Sequence, residues 1–136
     1  MFTGKFFLAV IVIAIAITFV QWFFVGFLFH KHQATTPMIW RKESSRSYAA
    51  STILSLFFAF MFTIVISLWI DKYGAMNIAN GIEFGAICWL TFSIPIEIGA
   101  AIYVNYSRMF VVGKCLSSLV EYIVAGVVAA QLIPAG

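Results

Sequence analysis

"FFLAVIVIAIAITFVQWFFVGFLF" runs from Phe6 to Phe29 without a single charged residue. An α-helix needs about 20 apolar residues to cross the hydrocarbon core of a bilayer. This run meets that length with Thr18 and Gln21 as its polar interruptions. Lys5 precedes it, as a basic residue precedes a secretory leader. The apolar region of a leader spans about 7–15 residues and ends at a small-residue cleavage site. This run is longer and no A-x-A-like site follows it, so it reads as a retained span.

The rest of the chain agrees with that reading. Of the 136 residues, 63% are hydrophobic and only 10% are charged, and the mean hydropathy is +1.04. A soluble domain carries about 25% charged residues. At this composition the chain cannot clothe itself in a polar surface, and lipid is its natural solvent. Three further runs have spanning length: about Ala49 to Ile70, Ile78 to Val104 and Phe110 to Ile133. The expected fold is all-α: a single integral membrane domain, residues 1–136, built as a four-helix bundle.

The formal net charge is +3. The cations cluster at the edges of the apolar runs, which points to membrane orientation and away from nucleic acid. With four spans, the first and third loops lie on one side, which carries Lys31, Arg41, Lys42, Arg46, Arg108 and Lys114, while Lys5 and Lys72 lie on the other. The positive-inside rule then puts loop 30–48 in the cytoplasm and both termini outside it. Within that loop, "PMIW" followed by "RKESSR" reads as an interfacial element. Trp40 is expected at headgroup depth, with Arg41, Lys42 and Arg46 facing anionic lipid.

Enzyme and metal motifs are missing. There is no H-E-x-x-H, G-x-S-x-G or phosphate loop. "HKH" places His30 and His32 two residues apart, a spacing that does not share a helix face. Cys88 and Cys115 sit in apolar runs outside any CxxC, where cysteine acts as a small packing residue. No metal, no cofactor and no catalytic residue are expected.

In lipid, helices associate through small residues and interhelical hydrogen bonds. The second span carries Ser51, Ser55, Ala59, Thr63 and Ser67 at every fourth position. The third opens with Gly81 and Gly85. The fourth has Lys114, Ser117, Ser118, Glu121, Ala125 and Ala129 on one face, with Gly126 beside them. The first shows the weakest stripe: Ala14, Thr18 and Gln21. These are expected packing faces, and the ridge on the second span is a candidate surface for a second copy or another membrane protein.

Two acids fall inside spans, Glu97 and Glu121. A charge at a helix centre costs about 2.5–3.5 kcal/mol on the insertion scale, so such residues face the bundle interior. At 1.5 Å per residue, Gln21 lies about 12 Å from the loop end of its helix, Glu97 about 11 Å and Glu121 about 16 Å. A hairpin centred near Met109 sets the two acids opposite each other. Both ionised they would repel, and a pair sharing one proton is expected. Lys114 is expected to reach toward the cytoplasm and not to pair with Glu121. Pro95 lacks an N–H, which deprives the Thr91 carbonyl of its helical donor and bends the third span beside Glu97. Gln21, Pro95, Glu97 and Glu121 form the candidate polar site; an equally plain reading is a hydrogen-bonded structural pair.

"WFFVGFLFHK" (Trp22 to Lys31) and then "PMIW" resemble an uncharacterised bacterial family of four-span integral membrane proteins, a domain of unknown function. Trp22–Phe23 matches the aromatic pair that closes the first helix there, and Phe29-His30-Lys31 matches the turn after it. The short hairpin after the third span, with Tyr122 and Gly126 in the fourth, is similar as well. The resemblance covers nearly the whole chain in layout. It implies the four-span fold and a bacterial inner-membrane location, and it carries no activity. Two functional expectations stand beside it. One is small-solute or proton-linked transport through the polar interior. The other is a non-catalytic accessory subunit that binds another membrane protein through its stripes. In such a small bundle, a pathway is expected to need a dimer or larger assembly.

Overall fold

A backbone in lipid has only its own groups to bond with, so four long apolar runs separated by polar turns become four helices. The computed structural model describes residues 1–135. In it, α1 spans Gly4–Leu28, α2 Ser45–Tyr73, α3 Ile78–Tyr103 and α4 Arg108–Leu132. All four are long and apolar enough to cross a membrane. The chain is an all-α four-helix bundle, with no strand among the described residues.

Caps set the helix starts. The Thr3 hydroxyl accepts from the Phe6 N–H at 3.3 Å, and Asn77 Oδ1 accepts from the Asn80 N–H at 2.8 Å. Ser44 and Ser47 cap each other's backbone N–H. That capping box starts α2 at Ser45, four residues before the apolar run. Gly74 ends α2 at φ 93°, a conformation that favours glycine. Two short helical turns, His30–Gln33 and Pro37–Ile39, carry the long loop.

The helices pack in the order α2, α1, α4, α3. α1 packs against α2 on one side and α4 on the other, and α3 packs on α4. Phe6, Ala9, Val10, Ile13, Ala14 and Ile17 of α1 are all buried. The helix with the weakest sequence stripe therefore supplies much of the core. It is apolar on every side, so no periodicity marks its inner face.

α3 and α4 cross with their backbones in contact. A Cβ on Gly81 would sit 2.7 Å from the Gly126 carbonyl oxygen. One on Gly85 would overlap the Tyr122 carbonyl, and one on Gly126 would overlap the Gly81 carbonyl. Only glycine permits this approach, the small-residue packing of membrane helices.

The ridge on α2 faces inward. Ser55, Ala59, Thr63 and Ser67 are buried within the chain, and Ser51 alone is exposed. This corrects the expectation that the ridge is a free surface for a second copy. Two of its hydroxyls are used up along their own helix. Thr63 donates to the Ala59 carbonyl at 2.6 Å and Ser67 to the Thr63 carbonyl at 2.7 Å, the back-bonding open to Ser and Thr in a helix.

α2 and α3 meet at one end of the bundle only. There Phe84 of α3 packs edge-on against Phe62 and Trp69 of α2, and Tyr122 of α4 joins Phe58 and Phe62. Toward the loop 30–44 end, the space between α2 and α3 is open and becomes the wall of the cavities described next.

Candidate functional site in the bundle interior

Glu121 is the centre of the polar interior. Its Oε1 accepts from the Ser117 hydroxyl at 2.8 Å, one turn earlier on α4. Its Oε2 accepts from the Gln21 amide of α1 at 3.2 Å. Both donors are neutral. Gln21 is the last residue of regular α-helix in α1, and the next turns, Trp22–Leu28, are π-helical. Such widened turns often mark functional sites.

Glu97 has a different partner. Its Oε2 lies 2.9 Å from Lys114 Nζ, with side-chain exposures of 19% and 32%. The ammonium also stands 5.9 Å from the Tyr106 ring centroid. The expected reach of Lys114 toward the cytoplasm is corrected: it turns to the neighbouring helix and forms an ion pair. The cause lies in the hairpin. The turn between α3 and α4 is Val104–Ser107, earlier than the assumed centre at Met109. Down the contact, Gly81 faces Gly126, Gly85 faces Tyr122 and Trp89 faces Ser118. That register sets Glu97 near Phe110, one turn from Lys114 and within reach of its long side chain, and leaves Glu121 deeper.

Pro95 acts through the turn before it. Trp89–Ser93 is π-helical, and the Ile94 N–H reaches back five residues to the Trp89 carbonyl. Regular α-helix resumes at Ile94 with Pro95 in its first turn, where a missing N–H is tolerated. The Thr91 hydroxyl donates to the Ile87 carbonyl at 2.8 Å. The widened turn is pinned to α4 by the Trp89 indole N–H, which is shared between the Ser118 hydroxyl at 3.0 Å and the Cys115 carbonyl at 3.1 Å. The proline itself is exposed. It shapes the site and does not line it.

Two cavities meet at this layer. The larger, about 720 Å³, opens toward the loop end, where His30, Glu43 and Tyr48 form its mouth. The smaller, about 380 Å³, opens sideways between α2 and α3. Gln21, Ser51, Glu97, Ser118 and Glu121 line both. Such volumes suit small-molecule sites, and both cavities are lined by residues of one chain. On the far side, Phe58 and Tyr122 close edge-to-face with ring centroids 5.1 Å apart.

The structure thus brings Gln21, Glu97 and Glu121 to one cavity and leaves Pro95 on its outer side. Sequence reasoning missed Lys114, Ser117 and Ser118 as members of the site. Their signal was present, since all three share the α4 face with Glu121. Among the interfacial candidates, Arg41, Lys42 and Arg46 are exposed. Trp40 is half-buried and packs on Phe110 and Tyr106, at 4.8 and 5.6 Å between centroids. Its indole tethers the loop to the α3–α4 turn and the start of α4.

No curated protein and no solved structure matches the chain. A family profile does match, over residues 8–130, nearly the full length and all four spans. The chain belongs to the family described as protein of unknown function (DUF1761).

Proposed function

We propose that the chain is a bacterial inner-membrane protein that moves a small solute, with proton coupling, through its polar interior. The observation that carries this reading is the Glu121 carboxylate. It lies at the meeting point of two cavities, and only the neutral donors Ser117 and Gln21 hold it. A carboxylate so placed can take up and release a proton or a cation, and intramembrane acids commonly mark such paths. Irregular helix beside the acids, here Trp22–Leu28 and Trp89–Ser93, accompanies transport sites in larger folds. The Phe58–Tyr122 contact is the natural gate on the closed side. With the basic loops in the cytoplasm and both termini outside, the open mouth faces the cytoplasm.

The accessory-subunit reading has less behind it, because the α2 ridge that would bind a partner is buried. The test is proton flux in proteoliposomes under a pH gradient. Wild-type protein is expected to give protein-dependent flux, Glu121→Gln to abolish it and Glu97→Gln to reduce it. Flux unchanged in both variants, or no flux above empty vesicles, overturns the proposal.

A further inference from the structure

The two cavities differ in chemistry, and together they describe a ligand. The larger one is the more polar of the two. Three carboxylates, Glu43, Glu97 and Glu121, stand on its wall against one ammonium, Lys114. Lys114 is bound to Glu97. Glu43 accepts only from the Tyr48 hydroxyl, at 2.6 Å, and Glu121 only from neutral groups. Two carboxylates are left without a cationic partner among the described residues. A cation is the species this chamber complements, and Trp22 is among the residues that line it.

Beyond the residues it shares with the first, the smaller cavity is lined mainly by apolar side chains, with Ser55, Ser93 and Tyr122 among them. Leu54, Phe57 and Met61 of α2 form one side of it and Ile96 of α3 the other. Leu54, Phe57 and Ile96 are also exposed on the outer surface, which is the lipid-facing surface of a membrane bundle. The slot therefore runs from lipid to Glu121. A water-soluble cation has no use for such an arm. An alkyl chain does: it keeps its apolar contacts along the slot while its head enters the polar chamber.

We infer that this interior binds an amphiphilic ammonium, an amine head on a single apolar chain, admitted sideways from the bilayer between α2 and α3. The head sits against Glu121 and the chain lies along Leu54, Phe57 and Ile96. The inference rests on the polar interior being the solute site and adds the class of solute and its route.

The test uses the full chain in nanodiscs of neutral phosphatidylcholine, with radiolabelled dodecylamine and empty nanodiscs as background. Saturable binding near one per chain is expected. Unlabelled octylamine should compete. Ethylamine, which has the head without the chain, and dodecyl sulfate, which has the chain with the opposite charge, should not at the same concentration. Glu121→Gln, which keeps the side chain's size and removes its charge, should weaken binding about ten-fold or more. Leu54→Trp, which fills the slot from a lipid-exposed position, should weaken dodecylamine binding, and unchanged binding overturns the lateral route. Absence of saturable binding overturns the inference, and so does equal competition by dodecyl sulfate. Equal competition by ethylamine overturns the lateral route. Because proton flux is measured separately, flux that depends on Glu121 in a protein that binds no amine would sink this inference while the transport reading stands.

Discussion

Gly85→Ala is the sharpest test of how α3 and α4 hold together. A methyl at Gly85 meets only backbone: it overlaps the Tyr122 carbonyl oxygen and lies 2.8 Å from its carbon and 2.9 Å from Ile123 Cα. None of these atoms can rotate away. Restoring ordinary contact requires the helices to part by roughly 1 Å in a closely packed interface. A gap of about 0.5–1 Å forfeits a quarter to a half of the dispersion attraction across it. The expected cost is about 2 kcal/mol, in the range of overpacked cores. Nothing lies within 4 Å of a Cβ built at Gly99 on the same helix, so Gly99→Ala is the matched control and should be neutral or slightly stabilising. Reversible unfolding in mixed micelles, followed by circular dichroism, gives both values. If Gly85→Ala is as stable as Gly99→Ala, the backbone crossing at Gly81, Gly85 and Gly126 is wrong.

Two further outcomes follow from contacts at the loop end. Glu97→Gln and Lys114→Gln should each destabilise the fold, and the double variant should lose less than their sum, with a coupling of about 1–2 kcal/mol for a partly shielded charged hydrogen bond; additive losses would mean that the pair does not form. Trp40 buries an indole N–H with no hydrogen-bond partner among the described residues. Trp40→Phe should therefore leave stability within about 0.5 kcal/mol, while Trp40→Ala should cost about 1–2 kcal/mol through lost packing on Phe110 and Tyr106, both read by the same unfolding assay.

The architecture was legible because hydropathy and length dominate in lipid. Every span was visible as an apolar run, and the glycines at the α3–α4 crossing stood out by spacing. The α2 start was misplaced because "ESSRS" looks like loop until Ser44 and Ser47 are recognised as a capping box. The inner face of α1 was invisible for a physical reason. A helix that is apolar all round has no periodic signal, and the neighbours decide which side is buried. In the site, Gln21 did reach Glu121. The pairing of Glu97 with Lys114 did not follow, because it depends on where the hairpin turns. Displacing the assumed centre from the real turn at Val104–Ser107 to Met109 hands Glu97 the wrong partner. The π-helical turns had no sequence signal beyond Pro95, and the one in α1 had none at all.

The central claim is that the layer holding Gln21, Glu97 and Glu121 is reached by water from the loop-end mouth of the bundle. Gln21→Cys tests it most directly, in a Cys88→Ala, Cys115→Ala background with Phe19→Cys as comparison. Gln21 lines both cavities, whereas Phe19, two residues away on the same helix, is 67% exposed on the outer surface. A charged, membrane-impermeant thiol reagent is applied to reconstituted protein opened to both faces. It should label the Gln21→Cys variant readily and leave the Phe19→Cys variant unmodified. A Gln21→Cys variant that resists the charged reagent while a lipid-soluble maleimide labels it would contradict the account.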